Sequence, residues 1–241
     1  MNDSPVPNDA ALQAPVHDEI ATPELVASLL ADGDDELAAW AIGQALLERP
    51  RSAVFDTVIR RAMELVGTRW ESDQWTVAEE HLASVALAAA LARIRPPDDP
   101  QARIGPVAVL AGPEVELHVA GLACLAQVLE ESGWQVNNLG ANVPADDLVR
   151  FVSNRTVDLV ALSVATAWSL PAARRAVEAL RAASSAVVAS LPIAVGGRGA
   201  SALEGQMAGA DFVSTSLAEA EVYAKRLAAR LRGDQAPLSG Q

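Results

Sequence analysis

Val107-Ala108-Val109-Leu110-Ala111, a short connection, and then Glu116-Leu117-His118-Val119-Ala120-Gly121 form the stretch that decides how this chain folds. Its first five residues are an unbroken apolar run, as expected of a strand buried on both faces, and from Val119 apolar positions recur at helical spacing. A strand, a short loop and a helix in that order open a parallel βα unit. An imidazole at the carboxyl end of such a strand points into the crevice where open α/β sheets bind ligands, and Glu116, two residues earlier, is placed to accept its second N–H. That is the arrangement of an oriented metal ligand. For one histidine read alone, packing or capping at a strand–helix junction is the commoner role.

The pattern repeats downstream. Apolar runs at 107–111, 135–139, 159–164, 192–195 and 212–214 alternate with helical stretches at 119–132, 145–154, 170–185, 200–207 and 217–232. Such alternation calls for right-handed parallel crossovers. Residues 104–233 are therefore expected to form an α/β domain with a five-stranded parallel sheet of the flavodoxin or Rossmann-like, doubly wound type. Upstream, helical patterns occupy about 23–31, 35–48, 52–68 and 76–94. Thr22-Pro23 is an N-cap and first-turn pair, Gly33-Asp34 and Arg49-Pro50 break the first connections, Ser52 is a candidate cap, and Thr76 with Glu79 spells a capping box. Four helices joined by short loops read as an antiparallel four-helix bundle over residues 22–95. Arg95-Pro96-Pro97-Asp98-Asp99-Pro100 marks a stiff acidic linker, set at 96–103. Residues 1–21, with Pro5, Pro7, Pro15 and several carboxylates, are expected to be a disordered arm, and 234–241 a tail.

Composition narrows the function. A net charge of −13 argues against direct nucleic-acid binding, which draws on Lys and Arg at phosphates. The single cysteine, Cys124, excludes an intrachain disulfide and falls in a helical stretch as a small apolar residue. Residues 1–18 lack a basic region followed by an apolar core, and no apolar run approaches the roughly 20 residues that span a bilayer. The expectation is a cytoplasmic protein with no membrane association. Aromatic residues are only 4% of the chain, yet five of the nine are Trp, so their positions carry weight.

The strand-end loops of a doubly wound sheet converge on one edge. The first presents Glu116, His118 and Gly121; the second Gly140, Asn142, Val143 and Pro144; the third Ser163, Ala165, Thr166 and Trp168; the fourth Gly196, Gly197, Arg198 and Gly199. Hydroxyls in the third suit a polar heterocycle, glycines in the fourth let a ligand approach the backbone, and Arg198 suits a phosphate.

Taken together, Glu116-x-His118-x-x-Gly121, Ser163 forty-two positions on and Gly196-Gly197 thirty-three further resemble the cobalamin-binding module of methionine synthase, corrinoid methyl carriers and mutases. The resemblance implies that His118 is the lower cobalt ligand, replacing the cofactor's own dimethylbenzimidazole. It further implies that Glu116 holds the imidazole, Ser163 bonds the displaced base and Gly196-Gly197 line the slot for the nucleotide tail. Position 116 is Glu where many members have Asp, and Ala165 stands where Leu is commonest; neither change removes a hydrogen-bonding atom.

In the bundle, Trp70 followed ten residues later by Glu80-His81 resembles the signature of the cobalamin-dependent photoreceptor regulators, the CarH-like proteins. In those proteins the bundle caps the upper face of adenosylcobalamin, which implies that role for Trp70, Glu80 and His81. Trp70 is expected in a loop or at a helix end, with Glu80 and His81 about one turn into the fourth helix. The regulators begin with a winged-helix DNA-binding domain, and here about twenty acidic-biased residues precede the bundle. Glu71 follows Trp70 where those photoreceptors can have a second histidine for cobalt. The resemblance, covering about residues 23–215, implies a non-enzymatic cobalamin sensor, responsive to light or to cobalamin, that regulates transcription through a protein partner such as a transcription factor. Adenosylcobalamin is the favoured form, hydroxocobalamin and methylcobalamin the alternatives, and a homo-oligomer is among the partner states considered. The rival is a corrinoid methyl-carrier subunit of a methyltransferase system.

Overall fold

The computed structural model describes residues 21–96, 104–203 and 205–233. Residues 1–20, 97–103 and 234–241, where the arm, most of the linker and the tail were expected, lie outside the described residues. Ala21 is already buried in the helical core.

The helical part is built as its end signals direct. Helix α1 (Pro23–Ala31) starts with Thr22 Oγ1 accepting from the Leu25 N–H at 3.2 Å. Helix α2 (Asp35–Leu46) is capped by Asp34, which accepts from Leu37 N–H at 3.0 Å. Helix α3 runs without a break through Arg51–Val54, a π-helical turn Phe55–Ile59, and Arg60–Glu71. Helix α4 (Val77–Arg93) opens with the full capping box, Thr76 and Glu79 bonding reciprocally. One expectation needs correction: Ser52 caps nothing, since Pro50 precedes the helix and the Ser52 hydroxyl instead reaches Glu221. Trp70 lies in the last turn of α3, the helix end expected of it.

The α/β part follows as β1 (Val107–Ala111), α5 (Ala120–Glu131), β2 (Gln135–Asn138), α6 (Ala145–Ser153), β3 (Leu159–Ser163), α7 (Leu170–Arg181), α8 (Ala186–Ala189), β4 (Ile193–Gly196), β5 (Phe212–Ser214) and α9 (Leu217–Leu231). The sheet is wholly parallel in the order β2-β1-β3-β4-β5. Strands β1 and β3 are neighbours from which the chain departs in opposite directions, so the crevice of the fold opens at their carboxyl ends. The helix expected at 200–207 is instead a 3₁₀ stretch, Arg198–Leu203, tied down by Gly199 N–H on Val164 O at 2.9 Å. The helix expected at 170–185 stops at Arg181, and Ser185 caps the separate α8.

The two parts share a core. Cys124 and Val128 of α5 belong to the same buried cluster as Val26, Ile42, Phe55 and Leu87 of the bundle. Cys124 is the small buried residue expected, its thiol pushed up to about 12 by burial. None of the described helices is long and apolar enough to cross a membrane.

Candidate functional site

The loop after β1 carries the centre of the site. Its path is pinned by the loop after β2: Gly112 N–H bonds Gly140 O at 2.8 Å, Val143 N–H bonds Gly112 O at 2.9 Å, and Asn142 N–H bonds Glu116 O at 2.8 Å. Asn142 Oδ1 accepts from Val115 N–H at 2.9 Å, holding Val115 at a φ of +64°, a backbone that a β-branched residue rarely adopts. Asn142 and Val143 thus brace the His118 loop.

Glu116 is 1% exposed and its carboxylate is fully engaged. Oε1 accepts from the His118 backbone N–H at 3.0 Å and faces His118 Nδ1 at 2.6 Å. Oε2 accepts from Ala165 N–H at 2.8 Å and from the Ser169 hydroxyl at 2.6 Å, with Thr166 N–H at 3.4 Å. Burial opposes ionisation, but the bonds from His118, Ser169 and Ala165 outweigh it and hold the carboxyl at about 2. An ionised carboxylate at Nδ1 fixes the proton there and leaves Nε2 as the lone-pair nitrogen. His118 makes no bond through Nε2 among the described residues, and its side chain is 57% exposed. The N-cap position of α5 is Val119 and no side chain caps the helix, so the capping role considered for His118 is not the one it plays.

The hydrogen bond to Glu116 raises the His118 pKa above its ordinary value against the opposing effect of burial; the charges of Glu116 and Glu80 raise it further, and Arg198 lowers it. Glu80 of α4 and Arg198 after β4 are therefore near enough for their fields to reach the imidazole. Trp70, 45% exposed, and His81, with a 74% exposed side chain, make no hydrogen bond or ion pair with this loop among the described residues. His81 Nε2 lies 3.6 Å from Glu80 Oε2, and the Ser84 hydroxyl donates to Glu80 Oε1 at 3.1 Å.

Ser163, at the end of β3, is 8% exposed, and its hydroxyl has no hydrogen-bond partner among the described residues. A Cβ at Gly121 would stand 3.0 Å from that hydroxyl, so the first turn of α5 abuts it. Beyond β4, Gly197 has a φ of +105°, and a Cβ there would meet Val164 O at 2.5 Å; at Gly199 it would meet the Thr166 backbone at 2.6 Å. The fourth loop is thereby pressed against the third, with Arg198 Nε 3.5 Å from Ala165 O. Trp168 projects from this ledge, 89% exposed. Ser169 and the close packing of Gly199 are absent from the sequence reading. Both depend on turns whose geometry no local spacing reveals.

No group of three or more His, Cys, Asp or Glu among the described residues is placed to hold a bare metal ion. One oriented imidazole suits a metal whose other positions a macrocycle fills, and the unpartnered Ser163 hydroxyl beside Gly121 suits a polar heterocycle. Fold and site thus define a protein with one aromatic nitrogen donor at the switch point of a doubly wound sheet, faced by a helical bundle.

Residues 106–226 and residues 24–95 each match a family described as B12 binding domain. The chain belongs to the B12-binding family and binds cobalamin. It is 34% identical over 167 residues to the HTH-type transcriptional repressor CarH of Myxococcus xanthus, covering 69% of this chain and 54% of the repressor. The chain thus spans about half the length of that relative. It is 24% identical over 209 residues to dimethylamine corrinoid protein 1 of Methanosarcina acetivorans, covering 86% of this chain and 96% of that protein. The monomethylamine corrinoid protein of Methanosarcina barkeri has the same fold, with a TM-score of 0.72 at 18% identity over 88% of this chain and the whole of that one.

Proposed function

We propose that the chain is a non-enzymatic cobalamin sensor that reports the state of the cobalt upper ligand, or illumination of it, to a transcription-regulating protein partner. The observation that carries the ligand assignment is His118 with Nδ1 locked on ionised Glu116 and Nε2 unpartnered. In this reading His118 ligates cobalt from below, Ser163, with Gly121 beside it, bonds the displaced base, and the backbone of Gly196 and Gly197 lines the path of the tail. Thr166 and Arg198 supply polar contacts at the mouth. Trp70, Glu80 and His81 lie on the bundle side, where Glu80 is close enough to influence His118. Bound cobalamin supplies a cobalt–carbon bond on its upper face when the ligand is adenosyl or methyl. The residues of this chain supply the lower donor, its orientation, and a cap.

The similarity to CarH supports the sensor. A methyl-carrier subunit is the second reading, favoured by one observation: the match to the dimethylamine corrinoid protein runs nearly the full length of that protein. The test is the visible spectrum of the full chain loaded with adenosylcobalamin, recorded before and after green illumination with oligomeric state alongside. A sensor of light changes both, and His118→Ala removes the histidine-bound spectrum. A spectrum unaltered by His118→Ala overturns the ligand assignment. Retention of methylcobalamin in preference to adenosylcobalamin, with no response to light, favours the carrier.

A further inference from the structure

A polar seam joins the bundle to the α/β part, and it is concentrated in the first turns of α3. Arg51 donates to Ile94 O, at the end of α4, at 3.0 Å and to Gln127 Oε1 of α5 at 2.9 Å. Ser52 bonds Glu221 of α9. Asp56, 8% exposed, accepts from the Ser216 hydroxyl at 2.9 Å and from the backbone N–H groups of Leu217 and Ala218 at 3.1 Å each. A bundle residue thus completes the N-terminal cap of a 15-residue helix in the other half of the molecule. Asp56 sits in the π-helical turn Phe55–Ile59, an irregularity of a kind frequent at functional positions.

The apolar part of the same interface is modest. Among the described residues of the α/β part, Cys124 and Val128 of α5 enter the buried bundle cluster fully, with Ala120, Ala123 and Leu217 partly buried against it. Hydrogen bonds to a buried carboxylate are the strong kind. Arg60 Nε, one turn on along α3, lies 3.8 Å from Asp56 Oδ1 and stays with it on the bundle side, whereas the three bonds to α9 are the ones that cross the seam.

We infer that Asp56 is the latch that keeps the bundle closed on the His118 loop, and that parting of α3 from α9 at this residue is the movement that uncovers the site. Asp56 is a positioning residue: it touches no ligand and acts through the placement of the bundle. That the covered face is the upper face of cobalamin rests on the function proposed above; the latch does not.

Cys124 provides a readout independent of cobalamin, since it is the one cysteine of the chain and is 4% exposed at this seam. In the cobalamin-free full chain, Asp56→Ala should raise the rate of Cys124 labelling by Ellman's reagent about tenfold or more, with helix content and cooperative melting kept. Ser216→Ala, which removes only the hydroxyl contact and keeps the Asp56 charge that helps hold the Cys124 thiol protonated, should raise it by a smaller factor; it separates opening of the seam from loss of that charge and serves if Asp56→Ala does not fold. Leu30→Ala, in the bundle core on α1, controls for general loosening. Labelling at the wild-type rate in the folded seam variants, or no faster than in Leu30→Ala, overturns the latch. Fast labelling in Asp56→Ala that adenosylcobalamin fails to slow leaves the latch standing and counts against the sensor reading.

Discussion

Glu116 spends one oxygen on His118 and the other on the third loop, so a single buried carboxylate sets both the imidazole and the ledge beside it. Glu116→Gln keeps the shape but places an amide where an acceptor is needed, and should cost about 10–100-fold in cobalamin affinity, read by spectral titration. The pair also carries a pH signature. The Glu116 carboxyl is lowered from 4.5 to about 2, so its contribution to stability is present above 4.5 and lost as pH falls toward 2. The His118 pKa is raised from 6.5, so its contribution is full below 6.5 and lost as pH climbs through the raised value. In the cobalamin-free protein the stability advantage of wild type over Glu116→Gln should therefore be greatest between pH 4.5 and 6.5. Melting temperatures across that range and beyond it check the window, and an advantage that keeps growing above neutrality contradicts it.

At the scale of elements, the site is a contact between strand-end loops more than a property of any one of them. The 3₁₀ stretch after β4 reaches the loop after β3 only because Gly199 lacks a Cβ, which would fall 2.6 Å from the Thr166 carbonyl. Gly199→Ala must push one loop from the other, and overpacking of this kind costs about 1–3 kcal/mol. A lowered melting temperature together with weakened cobalamin retention is the expected result, since Thr166 lies in the turn that ends at the Glu116 partner Ser169. Loss of stability without loss of retention would confine Gly199 to folding. The α5 helix shows the same economy, its first turn at Gly121 meeting Ser163 and its middle, at Cys124, meeting the bundle.

At the scale of the whole molecule, the bundle and sheet share one buried cluster and a polar seam, and Glu80 stands within electrostatic reach of His118. If the bundle caps an upper ligand, Trp70→Ala should weaken adenosylcobalamin by at least about fivefold relative to methylcobalamin, the loss of one aromatic contact being of that order. Equal effects on the two in a binding titration favour the methyl-carrier reading. The sequence by itself determined the four upstream helices, the parallel five-stranded sheet and the Glu116-x-His118 pair, because hydrophobic period, capping residues and a spacing of two are local properties. Strand order brought Gly121, Ser163 and Gly196-Gly197 to one edge, and only resemblance assigned their roles. Ser169 on Glu116, Gly199 against Thr166 and Asp56 capping α9 were decided by tertiary structure alone. Each joins residues far apart in the chain through a turn, a missing Cβ or a π-helical register, and the pairing of distant groups is set by how the elements pack.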